Sequence, residues 1–284
     1  MGRPCGVAFG VRWGGSGDQL LAVDGEPWGV VSWHWMGREW GLFMSISCFV
    51  SCRTMKTYFL LLVFIAGSLA QEDLSQKAFL FPEETSTAHV ILKPETSKPL
   101  KKFTVCLRSY TELTREHTLF SLATAGKDNM VLIFPQPPNN YSICINNKEF
   151  HIKVDAEVLD WKHTCMSWDS DSGLVQLWVN RKLYVRKVSN KGFIIPSPAS
   201  IILGQDQDSY GGGFQASQCF VGEINQFDMW DYVLSLEEIN QVLVNEKNGN
   251  VLNWTSLSYE IKGGVLVEPL YKFWGYAASS YYPC

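Results

Sequence analysis

Leu174–Val179 reads Leu-Val-Gln-Leu-Trp-Val, six strand-forming residues preceded by the turn-forming Asp169-Ser170-Asp171-Ser172-Gly173. Successive side chains on a β-strand point to opposite faces, so Leu174, Gln176 and Trp178 share one face and Val175, Leu177 and Val179 the other. Only Gln176 is polar. Both faces are therefore expected to be covered, which places this strand inside a layered β protein.

Working outward, the same composition recurs in short runs: FTVCL at 103–107, VLIF at 131–134, YSICI at 141–145 and ASIIL at Ala199–Leu203. Turn chemistry separates them at 135–140, 146–147, 169–173 and the glycine-rich 206–213. Many short strands between turn signals read as an all-β sandwich or jelly roll. One helix interrupts the pattern. Ser235-Leu236-Glu237-Glu238 is a capping box, in which the Ser235 hydroxyl and the Glu238 carboxylate satisfy each other's free backbone N–H groups. Leu236, Ile239, Val242 and Leu243 then form an apolar stripe expected to lie on the sandwich.

The chain has 284 residues, 46% hydrophobic and 13% aromatic, enough apolar material to build a core and to exclude a disordered or collagen-like chain. Its formal net charge of -4 offers no general attraction for phosphate backbones, so no nucleic-acid reader is expected. From Met55 the run MKTYFLLLVFIAGSLA has one Lys, a short apolar stretch and a small-residue exit at Ser68-Leu69-Ala70. This is the pattern of a secretory signal peptide, too short for a comfortable membrane span. The chain divides accordingly: 1–54, an upstream extension rich in Trp and Gly with no hydrophobic period and of doubtful translation; 55–70, the leader; 71–270, the domain; and 271–284, an aromatic tail. Export after Ala70 leaves a more acidic, extracellular protein with five cysteines, Cys106, Cys144, Cys165, Cys219 and Cys284. An odd number leaves at least one unpaired within the chain.

Two runs carry chemistry. HTCMSWDS at 163–170 places His163 and Cys165 on one face of a strand, but no third group orients the imidazole as a nucleophile pair requires. The structural alternative is preferred: Cys165 pairs with an earlier strand cysteine, Cys106 being favoured, and Trp168 fills the core. The second run, GQDQDSYGGGFQASQ at 204–218, crowds Asp206, Gln207, Asp208, Gln215 and Gln218 around a tight bend. Clustered carboxylates repel one another unless a hard cation neutralises them, and calcium accepts such flexible oxygen ligands; by itself the loop reads equally as a simple solvated turn. The twelve-residue spacing of an EF-hand is absent. An Asp-x-Asp glycosyltransferase site would need an α/β nucleotide-binding pattern, which this sequence lacks.

Together with KAFLFPEE (77–84), KPLKKFTVCL (98–107), FVGEI (220–224), MWDYVLS (229–235) and VLNW (251–254), these runs resemble the pentraxin family from Gln71 to about Pro269. The resemblance implies a flattened antiparallel β jelly roll, a ring of five subunits, two adjacent calcium ions per subunit on one face, the capped helix on the other, and a Cys106–Cys165 disulfide. Carried over by position, Asp128 and Asn129 of the segment GKDNM, the carboxylates of Asp206 and Asp208, the Gln207 carbonyl and the Gln218 amide are the implied calcium ligands. Two departures stand out. Asp206 replaces a one-methylene-longer Glu, and Gln215 replaces an acidic residue, so the outer ion is expected to be held more weakly.

Phe134 matches an aromatic residue that packs on choline methyl groups, and Glu149 a carboxylate facing the quaternary nitrogen. The implied ligand is phosphocholine on microbial or damaged-cell surfaces, in an innate-immune, acute-phase role, with complement components or immune receptors as further partners. A family branch preferring phosphoethanolamine, carbohydrate or polyanions is the alternative. Cys144 stands where the choline pocket has a small hydroxyl residue. No catalytic residue is expected, because a glycosidase needs two carboxylates across a cleft and every clustered acid is better used on metal. Cys144 and Cys219 are candidates for a second disulfide, and Cys284 for a link between subunits. Asn140-Tyr141-Ser142 and Asn253-Trp254-Thr255 are sequons by rule. Arg181, Lys182, Arg186, Lys187 and Lys191 read as a solvated basic face, with a polyanion contact as the minority reading.

Overall fold

Val175, Leu177 and Val179 face the interior and Trp178 the opposite side, as the alternation predicts. The computed structural model describes residues 73–270 apart from 96, 157 and 158, together with the backbone of three short strands further upstream. The chain separates into two compact units, Met1–Ala70 and Gln71–Cys284. In the first, β1 (Gln19–Val23), β2 (Glu26–Ser32) and β3 (Ser45–Ser47) form a small antiparallel sheet. The sequence of this region has no alternation to announce those strands; Asp24-Gly25, a hairpin dipeptide, lies between β1 and β2. The expected leader and the aromatic tail lie outside the described residues.

The second unit is nearly all β. Its strands are β4 (Lys77–Phe81), β5 (His89–Leu92), β6 (Lys102–Tyr110), β7 (Phe120–Thr124), β8 (Lys127–Gln136), β9 (Asn140–Ile145), β10 (Lys148–Lys153), β11 (Lys162–Asp169) and β12 (Leu174–Val179). They continue as β13 (Lys182–Leu183), β14 (Lys187–Val188), β15 (Ala199–Leu203), β16 (Gly222–Trp230), β17 (Tyr259–Lys262) and β18 (Leu266–Pro269). A seven-stranded sheet runs β10-β9-β8-β7-β15-β5-β17, and an eight-stranded sheet runs β13-β12-β11-β6-β16-β4-β18 with β14 also on β12. Every pairing is antiparallel. Sequence neighbours that lie far apart in the sheets, such as β15 between β7 and β5, give the crossovers of a jelly roll.

Period-two patterning sorts the apolar residues onto three surfaces. Val131, Ile133, Ile143 and Ile145 from one sheet meet Phe103, Val105, Met166, Trp168 and Leu177 from the other, forming the core between the layers. On the outer face of the eight-stranded sheet, Cys106, Cys165, Trp178 and Trp230 lie under the helix α1 (Leu236–Leu243). The outer face of the seven-stranded sheet carries a small third cluster, Leu132, Phe134 and Cys144.

The Cys106–Cys165 disulfide forms between directly opposed residues of β6 and β11, Cα to Cα 4.1 Å. The capping box of α1 is complete: Ser235 Oγ accepts from Glu238 N–H, and Glu238 accepts from Ser235 N–H at 2.8 Å. Ile239 and Val242 are buried as the stripe predicts, but Leu236 is 60% exposed. Leu234, before the cap, takes its place against Ile239, as in a hydrophobic staple. With only two turns, the helix covers the sheet with its middle, and its first residue overhangs.

Candidate functional site

The loop after β15 starts at Gly204, whose φ of +86° and closeness to Phe81 exclude a side chain: a Cβ there would lie 2.3 Å from the Phe81 ring. Strand-like alternation continues through Gln205-Asp206-Gln207-Asp208 and divides it into two sets. Gln205 and Gln207 are fully buried anchors. The Gln205 amide donates to the Thr85 carbonyl at 2.6 Å and the Ala88 carbonyl at 3.0 Å. The Gln207 amide donates to the Ser121 and Ser200 carbonyls and to Ser121 Oγ, while its own oxygen accepts from Gly211 N–H at 2.9 Å. Ser121 Oγ in turn donates to the Gln205 carbonyl at 2.7 Å. Asp206 and Asp208 are left for the site. Beyond them, Ser209 and Gly212 exchange both backbone hydrogen bonds to close the bend.

Asp128 and Asn129 come from a different element. Between Leu122–Val131 and Thr124–Lys127 the register of β7 against β8 slips, and the surplus residues fall on β8 around Asp128 and Asn129. A bulge re-aims side chains in this way. The tight β9–β10 turn holds it, with Asn146 (φ +50°) and Asn147 (φ +59°) at its two central positions. Asn147 N–H donates to the Asn129 carbonyl at 2.9 Å, and the Asn147 amide donates to Asp128 Oδ1 at 3.4 Å.

The two bends converge electrostatically. Asp206, 5% exposed, has its pKa raised to about 7, first by burial and then by Asp208, with Asp128 and Glu149 adding to it. Cys144 is pushed up to about 12, chiefly by burial and then by Glu149, Asp206 and Asp128. Asp206 Oδ1, Asn129 Oδ1 and Gln218 Oε1 are buried with no hydrogen-bond partner. A buried carboxylate oxygen left unpartnered beside repelling acids, as in Asp206, is costly unless a cation completes it. The donors are all hard oxygens, so the set fits calcium or a similar ion and not a thiophilic metal. Gln215 adds no acid; its amide donates to Asp208 Oδ2 at 2.6 Å.

Beside this cluster, the outer face of the β8–β9–β10 hairpins forms a shallow floor. Leu132 opposes Cys144, which opposes Glu149, and Phe134 opposes Ser142, which opposes His151. Glu149 is largely exposed; Ser142 Oγ donates to it, and His151 Nε2 lies 3.9 Å away. Phe134 is only 6% exposed and packs with Leu132 and Cys144. A cavity of about 680 Å³ at the β10 edge, lined by His151, Lys153 and Lys187 among others, contains none of the expected site residues.

Other expectations resolve as follows. Cys144 and Cys219 form no disulfide: both are buried free thiols, Cys144 donating to the Asn129 carbonyl at 3.4 Å and Cys219 lying 3.5 Å from the Arg115 guanidinium. They sit in separate neighbourhoods, so neither meets the other. Cys284 lies outside the described residues. Cys106, His163 and Cys165 cluster in the interior, but the sulfurs are bonded to each other and give no thiolate. Burial, then Arg108 and Arg181, lower the His163 pKa to about 4, so the ring is neutral. Trp168 is fully buried, its indole N–H donating to the Ser189 carbonyl. In the basic run Lys182 pairs with Asp155 at 2.7 Å, and Arg181, Arg186 and Lys191 are exposed. The Asn253 side chain is engaged by Thr255, and its neighbour Trp254 is buried.

Residue-by-residue reading missed Gln205, Ser121 and Ser142. The alternation of the Gln-Asp-Gln-Asp run held the signal for Gln205. The two serines are placed by cross-strand register alone.

Comparison with known proteins agrees with this architecture. Residues 77–269 match the model of the Pentaxin family. C-reactive protein of Xenopus laevis is 54% identical over 219 residues, covering 76% of this chain and 92% of that protein. C-reactive protein of Homo sapiens is 46% identical, covering 74% and 96%, and serum amyloid P-component of Mus musculus 43%, covering 72% and 92%. Among solved structures, a native heptameric SAP-like pentraxin from Limulus polyphemus superimposes with a TM-score of 0.64 at 24% identity, covering 70% of this chain and 97% of that one. Fold, family match and full-length relatives coincide on one unit, and this chain belongs to the pentraxin family.

Proposed function

We propose that this protein is an exported, calcium-dependent recognition subunit for phosphorylated, amine-bearing headgroups on microbial or damaged-cell surfaces. The observation that carries the reading is the pair of buried, unpartnered oxygens of Asn129 and Asp206, from separate segments, with the carboxylates of Asp208 and Asp128 acting on Asp206; Gln218 supplies a third buried, unpartnered oxygen. Asp128, Asn129, Asp206, the Gln207 carbonyl, Asp208 and Gln218 would hold the metal. Calcium, when held there, supplies coordination positions for the anionic oxygens of a phosphoryl group.

The chain's own residues do the rest. Glu149, oriented by Ser142, faces the cationic end of the headgroup, and the small exposed part of Phe134 offers aromatic surface to its methyl groups. Gln205, Gln207 and Ser121 hold the loop in place before any ligand arrives, which lowers the entropic cost of binding. Recognition asks for no bond-breaking group, in keeping with a binding protein and not an enzyme.

Phosphocholine is the ligand this reading favours, as the relatedness to C-reactive proteins suggests. The near-complete burial of Phe134 supports a second reading, a phosphoethanolamine-type headgroup that needs less aromatic surface. We assign 55–70 as a cleaved leader and infer a ring of subunits, five by the sequence resemblance, in which modest single sites add through effective concentration. Retention of the exported protein on immobilised phosphocholine in calcium, with release by chelator, tests the function. Flow-through in both conditions would overturn it, and elution by phosphoethanolamine but not by phosphocholine would select the second reading. Native mass spectrometry gives the ring size and, with it, the mature N-terminus.

A further inference from the structure

The segment carrying Gln218 is a single 3-10 turn, Ala216–Gln218, with no side-chain cap and no buried residue of its own. Its apolar anchorage begins only with the buried Cys219 and Phe220 that follow. Its backbone is nonetheless tied at three successive carbonyls. Arg115 Nη1 donates to the Ser217 carbonyl at 3.1 Å and the Cys219 carbonyl at 2.8 Å. The carbonyl between them, that of Gln218, accepts from Thr118 N–H at 2.9 Å. Arg115 is itself fixed from the other side, donating through Nε and Nη2 to Glu84 at 3.2 and 3.0 Å. The Gln218 side-chain oxygen then remains as the buried, unpartnered acceptor.

We propose that Arg115 is a positioning residue for the metal site, clamping the Ser217–Cys219 backbone so that the Gln218 oxygen is held ready before an ion binds. The proposal rests on the calcium-site reading above. A planar guanidinium can serve two carbonyls on one edge and a carboxylate on the other, which a lysine ammonium on a flexible stem cannot do in one geometry. A substitution here acts at a distance, through Gln218, and shares that residue's fate.

The test is a double-mutant cycle on the purified exported protein, read by calorimetric titration with calcium alone. Arg115→Met should weaken calcium binding about tenfold and Arg115→Lys by a smaller factor, while Arg115→Met placed on a Gln218→Ala background should change it less than about twofold. Wild-type affinity in Arg115→Met, or the full tenfold loss on top of Gln218→Ala, would overturn the proposal. Hydrogen exchange of the metal-free protein gives an independent arm: the amides of Gln218 and Cys219 should exchange faster in Arg115→Lys, and unchanged exchange would overturn it as well. A wild-type protein that takes up no calcium defeats the proposed function, and the exchange arm still decides the clamp.

Discussion

The side-chain amide of Gln215 donates a 2.6 Å hydrogen bond to Asp208 Oδ2, satisfying a carboxylate oxygen with a neutral donor. Metal affinity in oxygen sites follows the number of ligand charges. Calorimetric titration should therefore resolve two steps, the second about tenfold weaker or more, and Gln215→Glu should draw it towards the first. Two equally tight ions in the unaltered protein would contradict this.

Calcium binding should weaken in mild acid. The Asp206 pKa is raised to about 7, so its carboxyl keeps a proton below that pH, and a cation must displace it. Affinity should fall by up to about tenfold per pH unit below 7 and level off above it, for one displaced proton. In metal-free protein the same shift has a definite sign for stability. The unfolded carboxyl titrates near its ordinary value and the folded one near 7, so this contribution is greatest at low pH and is lost as pH rises through 7. Dissociation constants measured between pH 5.5 and 8 check the first effect; a flat profile would refute it.

The headgroup floor can be dissected with three substitutions. Glu149→Gln should reduce retention of a quaternary amine by about tenfold, having lost the opposite charge. Phe134→Ala should cost both ligand contact and local packing, since the ring is nearly buried. Cys144→Thr, by placing a hydroxyl beside Leu132 and Phe134, should shift preference between phosphocholine and phosphoethanolamine in competition elution. Identical competition curves for Cys144→Thr and the unaltered protein would show that the thiol does not shape the hollow.

Asp228 offers a prediction far from the ligand face. It sits just after a bulge in β16, where Gln226 has φ +49°, and its Oδ1 accepts from Gly249 N–H at 2.8 Å and Trp254 N–H at 3.3 Å. Burial raises its pKa to about 6 despite those two donors. The folded state thus holds a proton that the unfolded state has released, and stability falls as pH rises from about 4 to 6. Asp228→Asn can accept the same hydrogen bonds without charge. Its melting temperature relative to the unaltered protein should rise across that window, by the equivalent of up to about 3 kcal/mol. A difference independent of pH would be inconsistent with a buried ionising group.

Much of the fold was legible because strong strand formers alternate between turn residues: Leu174–Val179 and Ala199–Leu203 have the same bounds in sequence and structure. The capped helix was legible because its signal is local. What stayed hidden depended on contacts between distant segments. Leu236 fits the helical stripe but is exposed, since a residue outside the helix, Leu234, reaches the sheet first. Cys144 and Cys219 looked like partners by counting alone, yet register puts Cys144 between Leu132 and Glu149. Of the proposed metal-site residues, Asp206, Gln207, Asp208 and Gln218 stood out by crowding at one bend, and Asp128 and Asn129 were named by resemblance alone; the bulge that aims Asp128 and the contacts of Arg115 with the backbone around Gln218 have no local signature.

The two-residue rhythm of Gln205-Asp206-Gln207-Asp208 restricts how this loop can diverge. Amides turn inward to tether the backbone and acids turn toward the site. Inserting or deleting one residue between Leu203 and Gln205 would interchange the two sets, sending carboxylates among main-chain carbonyls and leaving amides at the binding surface. Divergence here is confined to swapping side chains at constant length, so ligand preference can drift by substitution while the loop's span stays frozen.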